Sequence, residues 1–288
     1  MDKKKTIAFI CGGSSAYKFY SQIFGKYKIR LYINGFDNGK STGLIRSLFP
    51  DTLGMSDFRK NLVKLLEMSD SDLAELLETR ALVKNIRIDD LAVAAKKIFG
   101  TGLEAEARQV VERCRIFADE HFAIGNILLQ SAAIKYGGMS GMLQQLNTAE
   151  YELISVTNDD NYFLFGCGSS RVWYPEEDIV DQYITTDIID IKLQKYNQVD
   201  SPGEARSSPK IAVDADIAII GPGTFYSSTF PSLKFLDFAS CKDVYLVENA
   251  AADFDNLHLT AEEMLVKTCS LVPEAKLIQD GNLKDVLQ

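Results

Sequence analysis

The chain has few of the residues that several common chemistries need. It contains two histidines, and its five cysteines are widely scattered, with no Cys-x-x-Cys pair. The cysteines are therefore expected to be reduced, as in a cytoplasmic protein, and to form neither a disulfide framework nor a zinc site. Two histidines offer few groups for histidine-based acid–base catalysis, and the spacing of the residues supports no Ser-His-Asp or Cys-His arrangement.

Long hydrophobic runs and excess positive charge are also missing. No stretch approaches the roughly 18 apolar residues of a membrane-spanning helix, and the apolar run after the first lysines covers only residues 7–11, too short for a secretory signal. Lys and Arg number 31 against 40 Asp and Glu, a formal net charge of −9. This disfavours a general attraction to nucleic acid or to anionic membranes, although a local basic pocket is still allowed. We expect a soluble cytoplasmic protein that binds neither.

The remaining pattern predicts an α/β fold. Residues 6–11 form an unbroken apolar run typical of a buried strand, a glycine turn follows, and aromatic residues at helical spacing lead to a second apolar run at 29–33. This is a β-α-β unit, and further buried strands are expected at 216–220 and 243–247. The sequence predicts a Rossmann-like, doubly wound, mainly parallel sheet.

Residues 57–147 contain no proline and show apolar stripes at helical spacing. We predict one α/β domain over residues 1–288, with a mostly helical insertion at about 57–147. Residues 152–156 and 162–165 are predicted to pair as a hairpin around the turn at 158–160, and 184–193 to include another strand. Thr260 and Glu263 are spaced as a capping box for a late helix.

Glycines and hydroxyls follow three of the predicted strands, around Gly12, Gly39 and Gly221. Such strand-to-helix loops can hold a phosphate with backbone N–H groups and the helix dipole. The middle loop ends in Gly39-Lys40-Ser41 like a Walker A motif, but Asn34 stands where that motif needs its first glycine. Two alternatives without ligand binding stay open: the middle loop is a solvated connection, or the glycines only permit tight turns.

Five motifs in order resemble the superfamily that joins CofD, the 2-phospho-L-lactate transferase of deazaflavin coenzyme synthesis, with the YvcK-like gluconeogenesis factors. The resemblance covers residues 6 to about 265. The matching segments are Gly12-Gly13-Ser14, residues 37–46 (D-N-G-K-S-T-G-L-I-R), residues 56–62 (S-D-F-R-K-N-L), Gly125-Asn126-Ile127 and residues 221–228 (G-P-G-T-F-Y-S-S). The serine-glycine continuation of the second segment, with its arginine, is closer to the YvcK branch.

The resemblance implies binding of a nucleoside diphosphate or nucleotide sugar of the UDP-N-acetylglucosamine type, in a regulator or sensor. The alternative it implies is a CofD-like, Mg²⁺-dependent transferase that moves a phospholactyl-type or related group from a nucleoside diphosphate donor to an acceptor and releases a nucleoside monophosphate. Whether the chain is an enzyme stays open, and Mg²⁺ is the only cofactor implied. Because family members commonly self-associate, a homo-oligomer is expected.

Site residues follow from these motifs. Asp37 is the candidate catalytic and metal-binding residue, with a helix-capping role as its alternative. The candidate ligand-binding residues are Gly12, Gly13, Ser14, Lys40, Ser41, Thr42, Asp57, Arg59, Gly125, Asn126, Gly221, Gly223, Thr224 and Ser227. Arg46 either contacts the ligand or faces solvent. Asn38 replaces the family's second aspartate, which weakens a Mg²⁺ site, and Lys40 replaces a glycine, which adds a cation.

Overall fold

A six-stranded parallel sheet forms the centre of the molecule. The computed structural model describes residues 4–157, 162–168, 173–175, 190–195, 210–248, 259–279 and 282–286. The sheet strands are β1 (Thr6–Cys11), β2 (Lys28–Ile33), β5 (Tyr151–Ser155), β10 (Ile217–Ile220), β12 (Asp243–Glu248) and β13 (Lys276–Gln279). They lie in the order β13-β12-β10-β1-β2-β5, and every neighbouring pair is parallel. When these six strands are numbered 1 to 6 along the chain and read from the β5 edge, their order is 3-2-1-4-5-6. This is the doubly wound order, which confirms the predicted Rossmann-like fold.

Helices fill the stretch from 40 to 146. After α1 (Tyr17–Ile23), they are α2 (Lys40–Leu48), α3 (Ser56–Leu66), α4 (Ser71–Glu78), α5 (Ile88–Phe99), α6 (Glu104–Cys114), α7 (Ile124–Lys135) and α8 (Met139–Leu146). A short antiparallel pair, β3 (Arg80–Leu82) and β4 (His121–Ala123), joins this layer. Helix α7 is buried from Ile124 to Ala133, so the other helices pack around it. None of the described helices is long and apolar enough to cross a membrane.

The layer on the other face of the central sheet contains both strands and helices. It contains an antiparallel sheet of β6 (Tyr162–Cys167), β7 (Trp173–Pro175) and β8 (Asp190–Lys195), and the parallel pair β9 (Ile211–Ala212) and β11 (Leu236–Asp237). A π-helix at Phe225–Thr229 runs into α9 (Phe230–Leu233), and α10 (Ala261–Cys269) follows later. The last helix, α11 (Leu283–Val286), packs on the side of the helical layer through Leu283. Strand β1 divides the core: Phe9 and Cys11 face the helical layer, and Ala8 and Ile10 face the other.

Two local predictions have opposite outcomes. The predicted hairpin is wrong: β5 pairs with β2 in the central sheet, whereas β6 pairs with β7 and β8. Alternating hydrophobicity identifies a strand, but it does not identify the strand's partner. The capping box is confirmed, since Thr260 Oγ1 accepts from the Glu263 N–H at 3.2 Å and Glu263 Oε2 accepts from the Thr260 N–H at 2.8 Å. Residues 184–189 of the predicted late strand lie outside the described residues.

Candidate ligand-binding site

The order of the strands places two glycine loops side by side. Strands β1 and β10 are neighbours at the centre of the sheet, and the chain leaves them in opposite directions. Gly12 and Gly13 follow β1, whereas Gly221 and Gly223 follow β10. The latter two have φ values of +86° and +153°, a region that favours glycine. In an open α/β sheet, this switch point at the carboxyl ends of the strands is where ligands bind.

The two loops are in close contact at Gly12. A Cβ atom at Gly12 would lie 2.2 Å from Ser228 Oγ, so only glycine fits there. The Thr224 hydroxyl donates to Ser228 Oγ at 2.8 Å, and the Ser227 hydroxyl donates to Thr224 Oγ1 at 2.6 Å. Three hydroxyls therefore lie beside the β1 loop at the switch point.

The first two turns of α3 border the same loop. Asn61 Nδ2 donates to the carbonyl oxygens of Gly12 at 2.8 Å and of Gly13 at 3.2 Å. Lys60 Nζ lies 3.3 Å from Asp57 Oδ1 and 3.6 Å from the position that a Cβ of Gly13 would take. Sequence reasoning missed both Lys60 and Asn61. The signal for Lys60 was its position three residues after Asp57, which places both side chains on one helix face.

Asp57 is a buried carboxyl rather than a helix cap. It lies in the first turn of α3, and the capping residue is Met55. Burial raises the pKa of the Asp57 carboxyl above its ordinary value, the Lys60 ammonium opposes this shift, and Asp37 adds to it. The pKa of Lys60 is raised, chiefly by Asp57. The carboxylates of Asp37 and Asp57 are thus close enough to repel each other, an arrangement that a cation would stabilise.

The loop from 34 to 39 has a defined local structure. Asp37 Oδ1 accepts from the Gly39 N–H at 2.8 Å, an Asx-type turn that comes before α2. Helix α2 then begins at Lys40, an exposed residue with φ of +49°. Because this is the left-handed region, Lys40 occupies a position whose backbone favours glycine.

Arg46 is a structural residue of this loop and does not face solvent. It is 2% exposed. Its Nη1 donates to the carbonyl oxygens of Phe36 and Asp37, each at 3.1 Å, and its Nη2 donates to Tyr162 O at 2.6 Å. The guanidinium also lies 4.2 Å from the centre of the Phe163 ring. Arg46 therefore ties the loop of Asp37 to strand β6.

A second group of predicted residues meets where α2 and α7 begin. Asn126 Nδ2 donates to Ser41 Oγ at 3.4 Å and to Thr42 Oγ1 at 3.2 Å. A Cβ at Gly125 would lie 2.8 Å from Arg59 Cγ, so the absence of a side chain there makes room for Arg59. Burial lowers the pKa of the Arg59 guanidinium, which lies 3.1 Å from Glu78.

The predicted residues thus form two groups. One lies at the switch point and contains Gly12, Gly13, Asp57, Gly221, Gly223, Thr224 and Ser227, with Ser14 next along the chain. The other contains Ser41, Thr42, Arg59, Gly125 and Asn126. Asp37 interacts electrostatically with Asp57 of the first group and with Arg59 of the second. Within the described ranges, no three His, Cys, Asp or Glu side chains are grouped to hold a metal ion.

The fold is similar to that of known crystal structures. No protein-family profile and no curated protein matches the chain by sequence. Two crystal structures of the protein BH3568 from Bacillus halodurans, one of them described as a member of the UPF0052 family, have TM-scores of 0.66 and 0.64. Both are 19% identical to this chain; the matches cover 98% and 97% of it and 82% and 81% of the other chain. A likeness at this identity establishes the fold.

Proposed function

We propose that this chain binds a nucleoside-diphosphate-linked small molecule of the UDP-sugar type and acts as a YvcK-like metabolic or cell-envelope regulator or sensor. The observation that carries the proposal is the contact between the glycine loops of β1 and β10 at the switch point of the sheet. The fold of a UPF0052 protein supports it, because UPF0052 is the CofD/YvcK family.

The switch point suits a diphosphate chemically. Asn61 binds the carbonyl oxygens of Gly12 and Gly13, which would otherwise repel a phosphate. The hydroxyls of Thr224 and Ser227, which here donate to neighbouring hydroxyls, can turn to donate to phosphate oxygens instead, and Lys60 supplies a positive charge beside the loop. Lys40 at the start of α2 is exposed and can add a second cation.

A second candidate function is the CofD-like, Mg²⁺-dependent transferase. Its support is the electrostatic pair of Asp37 and Asp57, since Mg²⁺ is commonly bound through one or two carboxylates together with substrate phosphates. Asp37 Oδ1 is occupied by the Gly39 N–H, so Asp37 would offer its other oxygen. A bound Mg²⁺ would neutralise charge on the diphosphate, while the chain's own residues would position it.

Calorimetric titration with UDP-N-acetylglucosamine, UDP, GDP and GTP, each with and without Mg²⁺, tests the binding proposal. We expect a UDP-linked compound to bind and Lys60→Gln to weaken it by about 5- to 10-fold, the effect of one charge-assisted contact. Lys64→Gln is the matched control, because Lys64 lies one turn further along α3 and pairs with Glu67 in the same i,i+3 spacing. If none of the four nucleotides binds, the proposal is wrong.

The two candidate functions differ in turnover. Release of a nucleoside monophosphate that requires both Mg²⁺ and an added acceptor, and that is lost in Asp37→Asn with nucleotide binding retained, would establish the transferase. Binding without metal and without product would favour the sensor. Self-association stays a prediction, which sedimentation velocity over a range of protein concentrations can test; a monomer throughout would contradict it.

A further inference from the structure

Three hydrogen-bond donors from three different elements converge on one buried oxygen, Ser41 Oγ. They are Arg80 Nη2 at 3.3 Å, the Ala123 N–H at 3.5 Å and Asn126 Nδ2 at 3.4 Å. Arg80 is on β3, Ala123 ends β4 and Asn126 is in the first turn of α7. Ser41 and Asn126 are buried, whereas Arg80 is an exposed residue that reaches the same oxygen from the surface.

The donors at this point exceed what a hydroxyl can satisfy. A hydroxyl oxygen accepts through two lone pairs, and N–H···O hydrogen bonds are typically ~2.7–3.2 Å long. All three contacts to Ser41 Oγ are longer than that range. A carboxylate or phosphate oxygen, which has more lone pairs and a full negative charge, fits this set of donors better.

Arg59 provides a second, independent observation. It is 4% exposed, and its buried Nε has no hydrogen-bond partner among the described residues. Its side chain lies against Gly125 at the start of α7, next to Asn126, and it interacts electrostatically with Arg80. Glu78 is the one acidic side chain in a hydrogen bond with Arg59 within the described ranges. The like charges of Arg59 and Arg80 repel each other, and a buried donor without an acceptor destabilises the protein until an acceptor arrives.

We infer that Ser41, Arg59, Arg80 and Asn126 form a second oxyanion site, distinct from the glycine loops of β1 and β10, which binds a carboxylate or phosphate group. The inference rests on the proposed function for the identity of the ligand and adds one property to it: the ligand carries an anionic group beyond its diphosphate. Arg80, which no motif singled out, is the residue that decides this preference, because its planar guanidinium can bind an oxyanion through two donors.

The site can be tested without knowing the ligand. The amide resonance of Ala123 reports on one of the three donors, and it is followed by NMR while inorganic phosphate or acetate is added at constant ionic strength. We expect saturable shifts with at least one of the two anions and a dissociation constant about 10-fold higher in Arg80→Gln. Which anion binds more tightly shows whether the group is a phosphate or a carboxylate.

The control is Arg87→Gln, which removes an equal charge from an exposed arginine at the start of α5. It should leave the titration unchanged. Arg80→Lys keeps the charge without the planar fork and should give an intermediate affinity. An Ala123 amide that does not move with either anion, or that moves equally in Arg80→Gln, overturns the inference.

A pair of nucleotides connects this site to the proposed function. UDP-glucuronate and UDP-glucose differ by one carboxylate. We expect wild-type protein to prefer UDP-glucuronate, Arg80→Gln to lose the preference, and Lys60→Gln to weaken both. If neither nucleotide binds while phosphate or acetate still shifts Ala123, the proposed function is wrong and the second site stands. If both bind equally and Ala123 does not respond, the second site is wrong and the proposed function stands.

Discussion

Gly12 and Ser228 touch so closely that one added methyl group would bring the two loops into collision. The Cβ of an alanine at position 12 would lie 2.2 Å from Ser228 Oγ and 2.6 Å from Ser228 Cβ. We therefore expect Gly12→Ala to lower the free energy of unfolding by about 1–3 kcal/mol, the usual cost of overpacking. Urea unfolding measures this directly, and nucleotide binding should weaken as well because the loops must separate.

A double-mutant cycle shows whether Ser228 is the cause. Ser228→Gly removes the colliding atoms, so Gly12→Ala combined with Ser228→Gly should be destabilised by less than the sum of the two single variants. Asp57 Oδ2 lies 3.0 Å from the same Cβ position and needs only a small adjustment. Strict additivity of the two substitutions would show that the strain arises elsewhere.

The buried carboxyl of Asp57 should make stability depend on pH. Burial raises the pKa of this group in the folded state above its ordinary value of 3.8. Between that value and the raised pKa, the folded state holds a proton that the unfolded state has released. The free energy of unfolding therefore falls as pH rises through this window and stays lower above it.

Asp57→Asn should remove this decline and raise stability at neutral pH by about 1 kcal/mol, as expected when a functional site is relieved of a buried charge. The loss of the partner of Lys60 costs little, because the Lys60 side chain is 42% exposed. The measurement is urea unfolding between about pH 4 and pH 8. Asp119→Asn is the control, because Asp119 is exposed. A parallel pH profile in wild type and Asp57→Asn would contradict the assignment.

The positive φ of Lys40 separates the roles of its backbone and its side chain. A non-glycine residue in the left-handed region costs about 1 kcal/mol or more, partly offset by the flexibility of glycine in the unfolded chain. Lys40→Gly should therefore be about 0.5–1 kcal/mol more stable than Lys40→Ala, which keeps the strain but loses the charge. If Lys40 binds phosphate, both variants should bind nucleotide equally weakly. Wild-type affinity in both would show that the lysine does not bind the ligand.

Much of the fold could be predicted from local sequence. The runs at β1 and β10 are apolar, and those at β2 and β12 mostly apolar, because the faces of a central parallel strand are buried, so composition identifies them. The glycine loops were recognisable because glycine follows these strands directly. The order of the strands, and with it the contact of Gly12 with Ser228, depended on the assumption of a doubly wound sheet, which the structure confirms.

Residues that act through distant partners could not be predicted. Arg80 and Ser41 are 39 positions apart and meet only because β3 packs beside the start of α2. Asn61 looks like an ordinary polar residue of a helix until the carbonyls of Gly12 and Gly13 are seen beside it. The pairing of β6 was wrong for the same reason, since the partner of a strand is set by packing that no short window of sequence contains.

Arg46 and Arg113 allow the effect of burial to be measured on contacts of the same kind. Arg46 donates to three backbone carbonyls and lies over Phe163, whereas Arg113 donates to the Leu48 carbonyl and lies over Phe49. Arg46 is buried, whereas Arg113 is exposed.

Arg46→Met keeps the apolar part of the side chain but leaves the carbonyls of Phe36, Asp37 and Tyr162 without this donor. We expect a loss of about 2–4 kcal/mol of unfolding free energy, because each buried acceptor that is left unpaired costs ~1–3 kcal/mol. Arg113→Met should cost less than about 1 kcal/mol, since water replaces its contacts. Equal losses in the two variants would show that Arg46 contributes by ring contact alone and does not hold the Asp37 loop to β6.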